Sequence, residues 1–160
     1  MPIPQLVLSN KAMKNEIYFD HASTSHPKPP QLLQEMSYYL YEIGVNPGRS
    51  GYKKAIIADE IIYNTRKAIA TLFNVKFAHQ IIFTLNATHA LNIIIKGILK
   101  PGDHVIITNF EHNAVLRPLE TLKNKQKNID YDVVASDALG VFNLDDFKKC
   151  IKKNTKLIIK

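Results

Sequence analysis

Past residue 30 the apolar positions of the chain fall into two rhythms, one of helical period and one of short β-prone runs. Leu32, Leu33, Met36, Leu40 and Ile43 recur at helical spacing behind Pro27, Pro29 and Pro30, and Gly44 closes the run. Proline suits a first helical turn and glycine a helix end, so this segment is predicted to be a helix. The loop Val45-Asn-Pro-Gly-Arg-Ser-Gly51 separates it from a longer predicted helix. There Ala58, Ile61, Ile62, Thr65, Ile69, Leu72 and Phe73 form one stripe, with Asp59, Glu60, Arg66 and Lys67 outside it.

From residue 80 strands and helices alternate. Gln80 to Thr84 reads as a buried strand, Ala87 to Leu99 as a helix, and Lys100-Pro-Gly-Asp103 as a tight turn. His104 to Thr108 reads as the next strand, Asn113 to Lys127 as a helix and Ile129 to Ala135 as a third strand. Asn143-Leu-Asp-Asp146 has the composition of a capped helix start, and Lys156 to Lys160 begins a fourth strand. This alternation predicts an α/β fold with a mostly parallel sheet covered by helices on both faces. A parallel strand is normally followed by a covering element, so the sequence reads as a piece of a longer protein.

Composition adds exclusions. At 160 residues, 46% hydrophobic and 22% charged, the chain is of ordinary globular make-up. Its longest apolar runs, such as Ile93-Ile94-Ile95, fall far short of the ~20 residues a spanning helix needs, so no membrane span is expected. The start, MPIPQLVLSNKAMKNE, has no basic stretch followed by an apolar core and cleavage site, and a cytoplasmic location is expected. The single cysteine, Cys150, permits no internal disulfide and no thiolate zinc cluster; in a lysine-flanked helix it reads as a semi-buried packing residue. Twenty-one basic against 14 acidic residues give a net charge of +7. The excess lysines gather at predicted helix ends and loops, without the arginine–aromatic pattern of a nucleic-acid-binding sheet, so no nucleic-acid partner is expected.

Two strand-to-helix turns carry the candidate chemistry. In open α/β sheets, ligands gather at the carboxyl ends of strands, where the next helix presents unpaired N–H groups and a positive dipole end to an anion. In Thr84-Leu-Asn-Ala-Thr-His-Ala-Leu-Asn92, Ala87 is small enough for a phosphate to approach the backbone. Thr88 brings a hydroxyl, and Asn86 can cap the helix. The turn lacks the glycine patterns of nucleotide loops, and Asn-Ala-Thr before a helix is most often just a cap. In Asn109-Phe-Glu-His-Asn-Ala-Val-Leu116, Glu111 and His112 stand at the end of the following strand. A histidine there is either a cap or, beside a phosphate site, a group that stacks on a flat ring and moves protons near neutrality.

Together, Tyr18-Phe-Asp-His-Ala-Ser-Thr24, Asn46-Pro-Gly-Arg-Ser-Gly51, Phe83-Thr-Leu-Asn-Ala-Thr-His-Ala-Leu-Asn92, Pro101-Gly-Asp103 and Glu111-His-Asn-Ala-Val-Leu-Arg-Pro118 stand in an order that resembles the N-terminal part of class V aminotransferase-fold enzymes, of the cysteine desulfurase and selenocysteine lyase group. The resemblance runs from about Ile17 to the last residue. It implies part of the large domain of a pyridoxal 5'-phosphate (PLP)-dependent transferase of fold type I, the aspartate aminotransferase-like class. Residues 1–30 would be an N-terminal arm, and 31–160 the N-terminal portion of that domain, truncated at its C-terminal end.

The resemblance also implies roles. Such enzymes are PLP-dependent homodimers that take sulfur from L-cysteine, leaving alanine and an enzyme persulfide, and some pass the sulfur to an acceptor protein. Ala87 and Thr88 match the positions that hold the cofactor phosphate, and His112 the histidine that stacks on the cofactor ring and is placed for proton transfer. Ala22 and Ser23 would border the substrate pocket, and Arg49 falls in a loop that reaches the active site or the dimer interface. His21 stands where the family usually has asparagine, and Ala87 where several members have threonine. The family's Ser/Gly-His-Lys motif, whose lysine carries the cofactor, is missing from the sequence, as are its pyridine-pairing aspartate and catalytic cysteine. The alternatives are a non-catalytic remnant or another class V activity: selenocysteine lyase, aminotransferase or epimerase.

Overall fold

The computed structural model describes residues 17–48, 51–126 and 128–160. The chain divides after Ile81 into two compact units.

In the first unit, α1 (Pro30–Tyr38) starts on a proline at its first position and runs into a widened π-turn, Tyr39–Ile43. Gly44 ends it at φ +57°, donating its N–H to the Tyr39 carbonyl at 2.7 Å. A Cβ at Gly44 would lie 3.0 Å from the Leu40 carbonyl oxygen, so only glycine closes this turn without strain. α2 (Lys53–Leu72) follows, then a single 3-10 turn, Ala78–Gln80. Both helices form where the sequence predicts, but the stripes are buried only in part. Ile43, Ala55, Ala58 and Ala70 are buried, whereas Leu32, Leu33, Met36, Leu40, Leu72 and Phe73 are exposed. Helical period fixes the element, while burial requires a second apolar surface, and α1 and α2 find one along only part of their length.

The second unit holds the sheet. α3 (Ala87–Ile98) leads through the Pro101–Gly102 turn into β1 (His104–Thr108), followed by α4 (Asn113–Thr121), β2 (Asp130–Val134), α5 (Leu144–Cys150) and β3 (Thr155–Ile158). The three strands are parallel in the order β2–β1–β3, with His104 opposite Asp130 and Thr108 opposite Val134. Every residue of β1 is buried, as a central strand covered on both faces requires. Val105 and Ile107 point into a core with Ile95 and Leu99 from the end of α3, Val115 and Leu119 of α4, and the flanking Leu122 and Ile129. Ile106 enters a second cluster with Val134 and Phe147, against which Cys150 packs half-buried, as expected from its place in the helix.

Two sequence expectations are corrected. Residues 81–84 lie outside the three-stranded sheet, and Ile82 is 77% exposed. The Ile-Ile-Phe run pairs with none of the three described strands, so it is not a buried strand of this sheet. The α-helix after His112 ends at Thr121 and widens into a π-turn over Leu122–Gln126. Pro118 inside α4 has no N–H to offer the turn before it, which weakens the ladder near that end.

Candidate functional site

Two helix starts define the site. At α3, the Asn86 side chain accepts the N–H of His89 at 2.8 Å, while the Thr84 hydroxyl donates to the Asn86 carbonyl at 3.0 Å. Of the N–H groups that a helix leaves unpaired in its first turn, this cap takes one and leaves those of Ala87 and Thr88 open. Both residues are exposed, and among the described residues the Thr88 hydroxyl has no hydrogen-bond partner. The turn is what the sequence predicts: an asparagine cap, a residue without bulk, and a hydroxyl one position further on.

At α4 the cap is His112, whose Nδ1 accepts the N–H of Ala114 at 3.0 Å. The simpler of the two expectations for this residue is therefore met. An Nδ1 that accepts carries no proton, so the proton of the neutral ring sits on Nε2. Just ahead, the Thr108 hydroxyl donates to Glu111 Oε1 at 2.8 Å, and the N–H of Phe110 reaches back to the same hydroxyl. These bonds fix the path of the turn at the carboxyl end of β1. Thr88 and His112 line one cavity of about 380 Å³ between α3 and α4. The structure thus brings together the two turns that lie 24 positions apart in sequence.

The other candidates stand elsewhere. Ala22 and Ser23 occupy an exposed turn of the first unit, in which Ser23 N–H donates to the Asp20 carbonyl at 3.1 Å. The Tyr18 hydroxyl bridges the Asp20 and Thr24 carbonyls around them. Arg49 lies outside the described residues. Among the described residues no group of acidic, histidine and cysteine side chains is placed to hold a metal, and no helix is long and apolar enough to cross a membrane.

Sequence reasoning passed over two groups. Asn92, Lys96, Arg117 and Thr121 line the same cavity as Thr88 and His112. Their signal is a polar step of four: Thr88, Asn92 and Lys96 on one helix, Asn113, Arg117 and Thr121 on the other. The second group lies at the amino end of β1. His104, 1% exposed, meets Thr155 Oγ1 through Nδ1 at 2.9 Å and Asp132 Oδ2 through Nε2 at 3.3 Å. Lys152 Nζ pairs with the same Asp132 oxygen at 2.8 Å, and the Lys152 N–H donates to Thr155 Oγ1 at 2.7 Å. That contact with Asp132 raises the Lys152 ammonium above its ordinary value. On the β2 edge nearby, the Lys123 hydrogen bond lowers the Asp130 carboxyl, and the Glu120 hydrogen bond raises the Tyr131 phenol.

The aminotransferase class-V family model matches residues 17–159. A probable cysteine desulfurase of Methanothermobacter thermautotrophicus is 29% identical over 147 residues, covering 91% of this chain and 36% of that protein. Cysteine desulfurase IscS of Buchnera aphidicola subsp. Schizaphis graminum is 35% identical over 152 residues, covering 91% of this chain and 37% of the relative. The apo structure of cysteine desulfurase from Thermococcus onnurineus NA1 is similar with a TM-score of 0.77 and 29% identity, over 89% of this chain and 35% of that one. The chain spans little more than a third of the length of these relatives.

Proposed function

We propose, from the premise that this chain belongs to the aminotransferase class-V family, that it is the N-terminal section of a PLP-dependent cysteine desulfurase-like enzyme. Pyridoxal phosphate is the cofactor that membership of this family implies. The observation that carries the reading is the shared cavity of Thr88 and His112, because it sets open helix-start N–H groups beside an imidazole. The donor set fits the cofactor: two backbone N–H groups and a hydroxyl for a phosphate, and a flat ring for a flat ring.

Within that reading each residue has a physical task. Asn86 satisfies His89 and so keeps the Ala87 and Thr88 N–H groups for the phosphate. The bond from Ala114 N–H restrains the His112 ring and leaves the Nε2 proton as the one to be given or held. The bound cofactor supplies the electron sink, so the chain's work is to clamp and orient it. Ala22 and Ser23 would border the substrate, L-cysteine, and Arg49 would reach the same site or a dimer partner. A homodimer, transfer to a sulfur-acceptor protein and a cytoplasmic location belong to the same proposal.

A second reading is that this chain binds the cofactor phosphate without catalysing a reaction of its own. No histidine in the sequence is followed by lysine, so the family's cofactor-carrying motif is missing from these 160 residues. Equilibrium dialysis against PLP tests the first part of the proposal. Saturable binding is expected, weakened about tenfold by Thr88→Val, which removes a charge-assisted contact to the phosphate, and measurably by His112→Ala, which removes the ring stack. Binding indifferent to both substitutions would overturn the site. Alanine formation from cysteine, with borohydride reduction and mass spectrometry for a lysine adduct, then separates the two readings.

A further inference from the structure

The cavity between α3 and α4 extends past the proposed cofactor turn. It follows the two helices for about two turns, from Thr88 to Lys96 on one side and from Asn113 to Thr121 on the other. Both helices begin at the same end, so two positive dipole ends share the mouth of the groove. Lys96 and Arg117 add two full positive charges further along. None of the nine lining residues is acidic. α3 contains no carboxylate at all, and Glu120 of α4 is engaged by Asn124 at 2.8 Å and by the Tyr131 hydroxyl. Among the described residues no carboxylate pairs with Arg117. A concave surface of one sign, lined by hydroxyl and amide groups, concentrates counter-ions of the opposite sign.

We propose that the α3–α4 groove holds a second anion seat, centred on Arg117 and Lys96 and distinct from the phosphate turn at Ala87 and Thr88, that takes the phosphate group of a small molecule. Arg117 offers the planar fork of donors that a tetrahedral oxyanion accepts two at a time. Lys96 lines the same groove from α3, as do Asn92, whose amide donates to the Thr88 carbonyl at 2.9 Å, and, from α4, Thr121, whose hydroxyl donates to the Arg117 carbonyl at 2.9 Å. A volume of about 380 Å³ lies within the range of small-molecule pockets and exceeds what one phosphate occupies. The seat lies in the same groove as the proposed cofactor site, further from its mouth, and does not rest on that reading.

Amide-detected NMR titration of the chain with pyrophosphate tests it. Saturable shifts at Lys96, Arg117 and Thr121 are expected. Arg117→Ala weakens binding about tenfold, Arg117→Lys recovers part of it, and Thr88→Val leaves it within about twofold. Arg117 is exposed, and the helical circular dichroism of its variants confirms that the fold is intact. Three results would each overturn the seat: shifts confined to residues 87–89, equal losses in the Arg117→Ala and Thr88→Val proteins, and non-saturating shifts spread over the lysines of α5 and β3. Failure here leaves the PLP dialysis result untouched, and failure of that result leaves this one standing.

Discussion

His104 opens β1 and His112, eight residues on, caps the helix that follows it, and the protein uses them in opposite ways. His104 is enclosed, and both ring nitrogens are engaged, by Thr155 on β3 and Asp132 on β2. Each of the three strands thus contributes one member to a closed polar cluster. His112 is exposed and spends only Nδ1, on the cap of α4. A side chain whose polar atoms are all satisfied internally has nothing left for a ligand, whereas one with a free nitrogen over a cavity does. The difference follows from the two ends of a parallel sheet. At the amino ends the strands enter close together and their first residues can bond across the ladder. At the carboxyl ends the chain turns away into helices and leaves a concavity.

The comparison breaks most readily at His104. His104→Ala opens a hole in the strand entry and removes two hydrogen bonds, and a loss of about 2–4 kcal/mol in urea unfolding is expected. A loss below that of the cap variants would mean that the amino-end cluster does not hold the sheet. His112→Ala should cost about 1 kcal/mol, the value of a helix cap, and His112→Asn should restore most of it, because asparagine also caps. If PLP binding falls in His112→Asn while stability does not, the ring has a role apart from the cap.

The pH dependence of the amino-end cluster is the smallest effect. Asp132 raises the Lys152 ammonium above its ordinary 10.5. A raised native value stabilises the fold fully below the unfolded value, and that contribution is lost as pH rises through the native one. Stability should therefore decline above about pH 10 in the wild type, and Lys152→Met should flatten that limb in alkaline unfolding curves. An unchanged limb would show that the pair adds nothing measurable, as exposed pairs often do.

Local signals were strong where one residue type had one job. Asn86 and Asn143 read as caps because a short side-chain oxygen at a helix start has an N–H within reach, and both accept one in the structure. The four apolar or β-branched positions of β1, Val105 to Thr108, read as a strand from the run alone. His104 showed nothing in sequence of the partners it would meet, since Asp132 and Thr155 lie 28 and 51 positions away. The run at 81–84 carried the same apolar signal as β1 and yet pairs with none of the three described strands.

Sequence by itself determined the elements, the two turns and the family to which they belong, because caps, turn residues and helical period act between neighbours a few positions apart. Only the tertiary structure decided which apolar runs found a partner, which histidine was enclosed, and that Thr88 and His112 share a cavity with Lys96 and Arg117. Those outcomes depend on strand order and register. They are set by competition among surfaces distant in the chain for the two faces and two edges that one sheet provides.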